Sequence, residues 1–293
     1  MTATAFGLVV LSALLHAIWS ASIKGSREPL AFNLVQALAT SVLALGVFAV
    51  ADLATIPSRV WWALAGTSLA HAFYFLFLSV ALARGELTLV YPIARSTPAF
   101  LPFLAVPLLG ESISTLGALG IATVVAGMWL VHSEGRLSFR ALVGPGTGFA
   151  YLTLATTVAY SLFDKTAMAE LSTSVPETRV PHAILFYFLL SAGSTTLFAP
   201  LAAAGLRGRP WAETARREWG RALAAATISF VSYVLILQAY RAAPASYVVA
   251  VRQSSVLFAL VIAIFHLRER PSRARVLGAL TTVAGVALIG LAD

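Results

Sequence analysis

The 293-residue chain has no cysteine, which excludes disulfides and thiolate metal sites and leaves its redox compartment open. It is also poor in charge, with Asp, Glu, Lys and Arg at 11% of residues, where soluble domains carry about a quarter. With 59% hydrophobic residues and a mean hydropathy of +0.86, this excludes an ordinary soluble domain and points to a bilayer. Acidic residues are scarcer than basic ones, 12 against 20, for a net charge of +8. The basic residues are scattered among the connections between apolar runs and line no face. Nucleic acid is therefore not an expected partner, and lipid headgroups account for the charge. Catalytic signatures are missing as well. No Gly-x4-Gly-Lys-Ser/Thr nucleotide loop and no Gly-x-Ser-x-Gly elbow occurs. The 5 histidines, His16, His71, His132, His182 and His266, lie on separate runs, so no metal-ligand cluster is encoded. Asp164 stands alone at the end of a run, without a second carboxylate. No metal, cofactor or enzymatic activity is expected.

What is present is a series of long apolar runs. A spanning helix needs roughly 20 mainly apolar residues, and ten runs qualify: 4–23, 31–51, 60–83, 87–109, 114–132, 147–164, 182–204, 221–241, 245–266 and 275–292. The fold expected is an all-α membrane protein of ten transmembrane helices. The first run has no basic segment before it and no clear small-residue cleavage site, so it reads as a retained helix. Between spans seven and eight, Pro210, Trp211 and Trp219 suggest a short helix lying at the headgroup level. Odd-numbered connections carry Lys24, Arg27, Arg84, Arg136, Arg140 and the clusters from Arg207 to Arg221 and Arg268 to Arg275. Even-numbered ones carry only Arg59, Lys165, Arg179 and Arg241. The positive-inside bias puts the odd connections in the cytoplasm and both termini outside. The expected location is a plasma membrane, in a bacterium the inner membrane.

The chain also repeats itself. Arg84 and Arg95 recur at the same spacing as Arg241 and Arg252, and Glu111, Gly120, Ala126 and Gly127 recur, after a slip of one residue, as Glu269, Gly278, Ala284 and Gly285. Upstream, Trp19-Ser20 with Lys24 is echoed by Tyr160-Ser161 with Lys165. This divides the chain into a first five-helix repeat at 1–132, a connector at 133–146 and a second repeat at 147–293. An odd number of spans per repeat inverts the second half in the membrane.

Arg95 and Arg252 are the cations placed well inside spans, roughly 12 Å and 10 Å deep from opposite surfaces at 1.5 Å per residue. An arginine at mid-membrane costs about 2.5 to 3.5 kcal/mol on insertion scales, so it faces water or a partner. One reading makes the pair guanidinium sites for a carboxylate or phosphonate-like group, with Tyr91 beside Arg95. The other has each arginine snorkel or bond helix-end carbonyls. Pro92, Pro98, Pro102 and Pro107 stand in span four where span nine has Val249, Ser255, Ala259 and Ile264, so span four is expected to bend more. In span one, Ser12, His16, Ser20 and Lys24 form a polar stripe beside Trp19 that should face a cavity. His16 is the candidate for proton coupling. His71, Tyr74, Phe75 and Ser79 in span three, Thr153, Thr157, Tyr160 and Ser161 in span six, and Ser229, Ser232 and Tyr233 in span eight suit a cavity for a small amphipathic metabolite. The substrate-binding candidates are thus Arg95, Arg252, His16, Trp19, His71, Tyr74, Tyr91, Tyr160 and Tyr233. Glu111 and Glu269 suit the N-termini of the helices they precede. Gly120, Gly127, Gly278 and Gly285 suit close helix packing.

Ten spans as five plus five, a basic residue inside spans four and nine, Gly110-Glu111-Ser112 followed by Gly120 and Gly127, and the opening His16-Ala17-Ile18-Trp19-Ser20 with Lys24 together resemble the drug/metabolite transporter superfamily, EamA type. The resemblance covers the whole chain. It implies an inverted-repeat secondary transporter with a central cavity lined by spans 1, 3, 4, 6, 8 and 9, moving a small metabolite, often outward. Many members keep their termini in the cytoplasm, whereas the charges here place them outside. The function expected is secondary transport, as an exporter, of an amino-acid-like or anionic metabolite by alternating access. The competing classes are a membrane-embedded enzyme without a recognisable catalytic motif, and a channel. Partners are the substrate, the bilayer and protons, with the chain either a monomer or a homodimer.

Overall fold

A computed structural model describes residues 1–84, 87–133, 143–144, 147–177, 179–207, 211–265, 268 and 270–292, and within them all regular structure is helical. The helices are α1 (Ala3–Lys24), α2 (Pro29–Phe48), α3 (Ser58–Arg84), α4 (Leu87–Ala94), α5 (Thr97–Leu109), α6 (Thr115–Ser133), α7 (Thr147–Ser174), α8 (His182–Gly205), α9 (Trp211–Ala242), α10 (Ala245–Arg252), α11 (Ser255–Phe265) and α12 (Arg273–Gly290). Their ends follow local chemistry. The Thr2 hydroxyl accepts the Ala5 N–H at the start of α1, and the Ser272 hydroxyl accepts that of Arg275 at the start of α12. Pro29 sits in the first turn of α2, and α5 stops at Gly110, whose φ of 67° is the left-handed conformation glycine favours.

Among the described residues, 9 stretches are long and apolar enough to cross a membrane. The expected sixth span, α7, has the length, at 28 residues, but its threonines, tyrosines and Asp164 make it less apolar. It packs along α3. Large apolar side chains such as Phe103, Leu108, Leu119 and Leu277 remain exposed on the outer surface, as lipid-facing positions require.

Three features depart from the sequence reading. α7 continues past residue 164 to Ser174, so Asp164 falls inside a helix and not at its end. Among the described residues no separate interfacial helix precedes span eight: α9 runs unbroken for 32 residues from Trp211. Ala, Arg and Glu favour helix across this stretch, an i,i+4 pair joins Arg217 to Glu213 at 2.9 Å, and proline is absent. Finally, spans four and nine both break, α4/α5 at Arg95-Ser96 and α10/α11 at Gln253-Ser254. In span four Pro98 has no N–H for the preceding turn, and the Ser96 hydroxyl donates to the Pro92 carbonyl at 2.6 Å. In span nine no proline is involved. There Gln253 N–H and Ser254 N–H bond three residues back, to the Ala250 and Val251 carbonyls, each at 3.0 Å. Proline is therefore not what the break requires, and the two breaks fall at the matching arginines.

Helix pairing shows how the halves are related. Along the α6–α12 contact, a Cβ on Gly120 would meet the Gly285 carbonyl and one on Gly285 the Gly120 carbonyl; Gly127 and Gly278 meet in the same reciprocal way. The partner number falls as the residue number rises, so these equivalent helices are antiparallel and cross backbone to backbone. Other pairs exchange when the halves are swapped: α1 with α9 corresponds to α7 with α3, and α2 with α9 to α8 with α3. An axis in the membrane plane produces this pattern.

Candidate functional site

α1, α2, α3, α7, α8, α9 and α10 surround a cavity of about 180 Å³. His16, Trp19, His71, Tyr74, Tyr160, Tyr233 and Arg252 line it, and Phe75, Ser229 and Ser232 join them. A second cavity of about 90 Å³ lies between the two helix breaks, lined by Arg95 and Thr97 from the first and by Gln253 and Ser255 from the second. His16, Tyr74, Tyr160 and Arg252 line both, so the two spaces adjoin. Arg95 and Arg252 thus face one region. The Tyr91 and Ser79 side chains lie outside the described residues. Ser12 is a correction. It is fully buried against α9, where its hydroxyl donates to the Ser232 carbonyl at 2.7 Å and the Ser232 hydroxyl returns a bond to the Ser12 carbonyl at 2.9 Å. The stripe on α1 therefore changes role along its length, from helix clasp at Ser12 to cavity wall at His16.

Two walls were not expected. The resemblance assigned the cavity to spans 1, 3, 4, 6, 8 and 9, but α2 contributes Asn33, Gln36 and Thr40, and α8 contributes Tyr187, Ser191, Ser194 and Thr195. Two amides a helical turn apart in an apolar run were the available signal for α2. The Trp19 indole donates to the Gln36 Oε1 at 2.9 Å, and the Gln36 amide donates to the Asn33 Oδ1 at 3.1 Å, fixing α1 to α2 on the cavity wall.

The floor of the larger cavity is aromatic and polar. His71 stacks on Tyr160 with ring centroids 4.1 Å apart, and Tyr74 meets Tyr160 edge-on at 6.0 Å. The Tyr233 hydroxyl lies 3.0 Å from His71 Nε2 and 2.5 Å from Asp164 Oδ2. Thr67 donates to the other carboxylate oxygen at 2.7 Å, and His71 Nδ1 lies 2.9 Å from the Thr67 carbonyl. Asp164 is fully buried. Sequence reasoning passed over it because the apolar run ends there, although the helix does not. The Arg252 guanidinium sits 5.6 Å from the centre of the Tyr233 ring, a cation–π contact that leaves its N–H donors for another partner. Among the described residues Arg252 has no carboxylate ion pair.

The smaller cavity adds a second source of positive potential. α5 and α11 begin at the two breaks, and the positive ends of helix dipoles favour anions. The Thr97 hydroxyl there is buried and unpartnered among the described residues.

Outside the cavities, two charged side chains hold helix ends. Lys165 donates to the Tyr240 carbonyl and, at 2.9 Å, to that of Ala243, capping the C-terminus of α9. Lys165 is thus a helix cap; the Lys24 side chain lies outside the described residues. Glu111 accepts from the Ala245 N–H and from the Ser246 N–H and hydroxyl, the last at 2.7 Å. It therefore serves the N-terminus of α10 in the other half and not that of the helix it precedes, α6. Glu269 lies outside the described residues. Replacing Glu111 by glutamine removes a carboxylate from a helix N-terminus and should destabilise the fold by about 1 kcal/mol. A lowered thermal midpoint checks this; an unchanged one would make the contact incidental.

A family model described as EamA-like transporter family matches residues 3–133 and 146–291. No curated protein matches the chain. A solved protein structure matches over 99% of this chain and 97% of that chain with a TM-score of 0.67 and 17% identity, a likeness of fold.

Proposed function

The chain belongs to the EamA-like transporter family, and on that premise we propose that it is a secondary transporter carrying a small metabolite with an anionic group through the cavities between its halves by alternating access. The observation that carries this reading is Arg252, a guanidinium that lines both cavities without a carboxylate partner among the described residues. A planar donor fork of that kind recognises a carboxylate or phosphonate bidentately. Arg95 and the starts of α5 and α11 reinforce the same potential. The aromatic surface of Trp19, Tyr74, Tyr160 and Tyr233, with the Asn33 and Gln36 amides, suits the rest of an amphipathic molecule. At about 180 Å³ the space is below the roughly 300 to 1,000 Å³ of drug-sized pockets, so an amino-acid-sized substrate fits the reading.

Counterflow in proteoliposomes against anionic, zwitterionic and cationic metabolites is the test. Exchange of compounds bearing an anionic group, and not of cations, is expected. Exchange of cations alone would overturn the substrate class, and a steady conductance would make the protein a channel.

The proposed setting is a plasma membrane with both termini outside and the Arg207 to Arg221 segment in the cytoplasm. The chain has no cysteine of its own, so single cysteines report without background. A cysteine at Arg217 should resist an impermeant thiol reagent in intact cells, and one added after Ala292 should react. The reverse pattern would invert the topology.

A further inference from the structure

The geometry points to Asp164, Tyr233 and His71 as a proton-binding triad that couples transport to the proton gradient. The inference rests on the transporter reading above and adds its energy source. It follows from counting hydrogens. Thr67 gives its hydroxyl proton to Asp164 Oδ1, and His71 Nδ1 faces the Thr67 carbonyl, which can only accept. His71 Nδ1 therefore carries a hydrogen, and in a neutral imidazole Nε2 is then an acceptor. Tyr233 has one hydroxyl proton and two neighbours, His71 Nε2 at 3.0 Å and Asp164 Oδ2 at 2.5 Å. With His71 neutral and Asp164 ionised, one of these contacts has no hydrogen in it. A single added proton completes the set. Either Asp164 Oδ2–H donates to Tyr233, which donates to His71, or His71 Nε2–H donates to Tyr233, which donates to Asp164. The site thus has two closed arrangements that differ by the position of one proton, passed through the Tyr233 hydroxyl, and the proton belongs to the group as a whole.

The site lies where coupling needs it. Tyr233 and His71 line the larger cavity, and Asp164 sits behind them, fully buried. Arg252 from α10 rests on the Tyr233 ring. Among the described residues, the other ionisable groups around the triad are Tyr160 from α7, Tyr240 from α9, Tyr187 from α8 and His16 from α1. None of them is a second carboxylate. The repeat does not explain the triad either. The match of Trp19, Ser20 and Lys24 with Tyr160, Ser161 and Lys165 sets Asp164 opposite Ile23, and Ile23 packs in an apolar cluster with Phe32, Ala222 and Ala225. The same helix crossing is thus apolar in one half and ionisable in the other.

The sign of coupling follows from charge. Arg252 rests on the ring of Tyr233, whose hydroxyl bonds Asp164, so an anion on Arg252 lowers the positive potential beside the triad; anion and proton then favour each other's binding, and linkage makes this reciprocal. The two move in the same direction. An inward proton gradient then drives uptake, against the outward direction that the family resemblance implied.

Asp164→Asn tests the triad without needing the substrate. An asparagine accepts from Thr67 and donates to Tyr233, which donates to His71, so it reproduces the closed network with no extra proton and should fold. Infrared difference spectra of the protein in liposomes, titrated with acid, should show a carboxylic acid or imidazolium band that disappears in Asp164→Asn and changes frequency in Tyr233→Phe. Persistence of the band in Asp164→Asn would overturn the triad. The coupling is read separately, on whichever anionic compound exchanges in counterflow. An outward-acid pH step alone should accumulate that compound through the wild type and not through Asp164→Asn. Accumulation through both variants, or counterflow in the wild type without any response to the pH step, would refute coupling and leave the transporter reading standing. A titrating triad without counterflow of any compound would refute transport instead.

Discussion

Arg252→Lys is expected to abolish or strongly weaken transport of a substrate with an anionic group while the protein still inserts and folds, and Arg95→Lys should do the same. The charge survives both substitutions, so what they remove is geometry. An ammonium is a compact point charge that cannot offer two parallel N–H donors to one carboxylate, and it stacks less well than a guanidinium on an aromatic face. At Arg252 that face is Tyr233, 5.6 Å away. Loss of a desolvated charge-assisted contact typically removes about 2 to 5 kcal/mol of binding, or about thirtyfold and more in affinity. The measurement is counterflow rate against concentration, with monodispersity and helix content as the folding control. Normal transport by both lysine variants would reduce the arginines to structural anchors.

The second large effect is expected at the α6–α12 seam. A Cβ on Gly127 would come within 2.5 Å of the Thr282 backbone nitrogen and 2.7 Å of the Gly278 carbonyl, and one on Gly278 within 2.6 Å of the Gly127 carbonyl. All three obstacles are backbone atoms, so the helix backbones must separate. Gly127→Val should therefore destabilise by about 1 to 3 kcal/mol or more, as overpacking does. Because one separation relieves both sites, Gly127→Ala and Gly278→Ala together should cost less than the sum of the single changes. Gly46→Ala, with nothing within 4 Å of the added carbon, is the control and should be neutral or stabilising. Thermal unfolding of the five variants decides it, and a Gly127→Val midpoint equal to wild type would show that the seam is looser than this packing implies.

The same glycines show what a sequence can disclose. Gly120 and Gly127 matched Gly278 and Gly285 because close backbone crossing tolerates no Cβ, so the constraint is written at each position. Cavity residues such as His16, Tyr74, Tyr160 and Arg252 were legible for a related reason: polar or aromatic groups cost too much in a bilayer to stand there without a wet space or a partner. Asp164 was missed because hydropathy marks where an apolar run stops, and α7 continues beyond it by helix propensity and packing along α3. Ser12 was misplaced because a hydroxyl against another helix's carbonyl and a hydroxyl against water look alike in a stripe. The break in span nine left no mark, since Ser254 and Ser255 do not interrupt a helix as proline does. The partner of Glu111 was equally hidden: a carboxylate beside one helix start gives no sign that the chain folds another start onto it.

Alternating access requires that the cavity walled by α1, α2, α3, α7, α8, α9 and α10 open in turn to the two sides of the membrane. Ser194 lines it from α8 and is only partly buried, and in a chain without cysteine a Ser194→Cys variant carries the sole thiol. Its labelling rate with an impermeant thiol reagent, measured in right-side-out and in inverted sealed vesicles, is the direct test. Reaction from both sides is expected, slowed in each orientation by the compound that exchanges in counterflow. Reaction from one side only, or from neither, would rule out alternating access through this cavity.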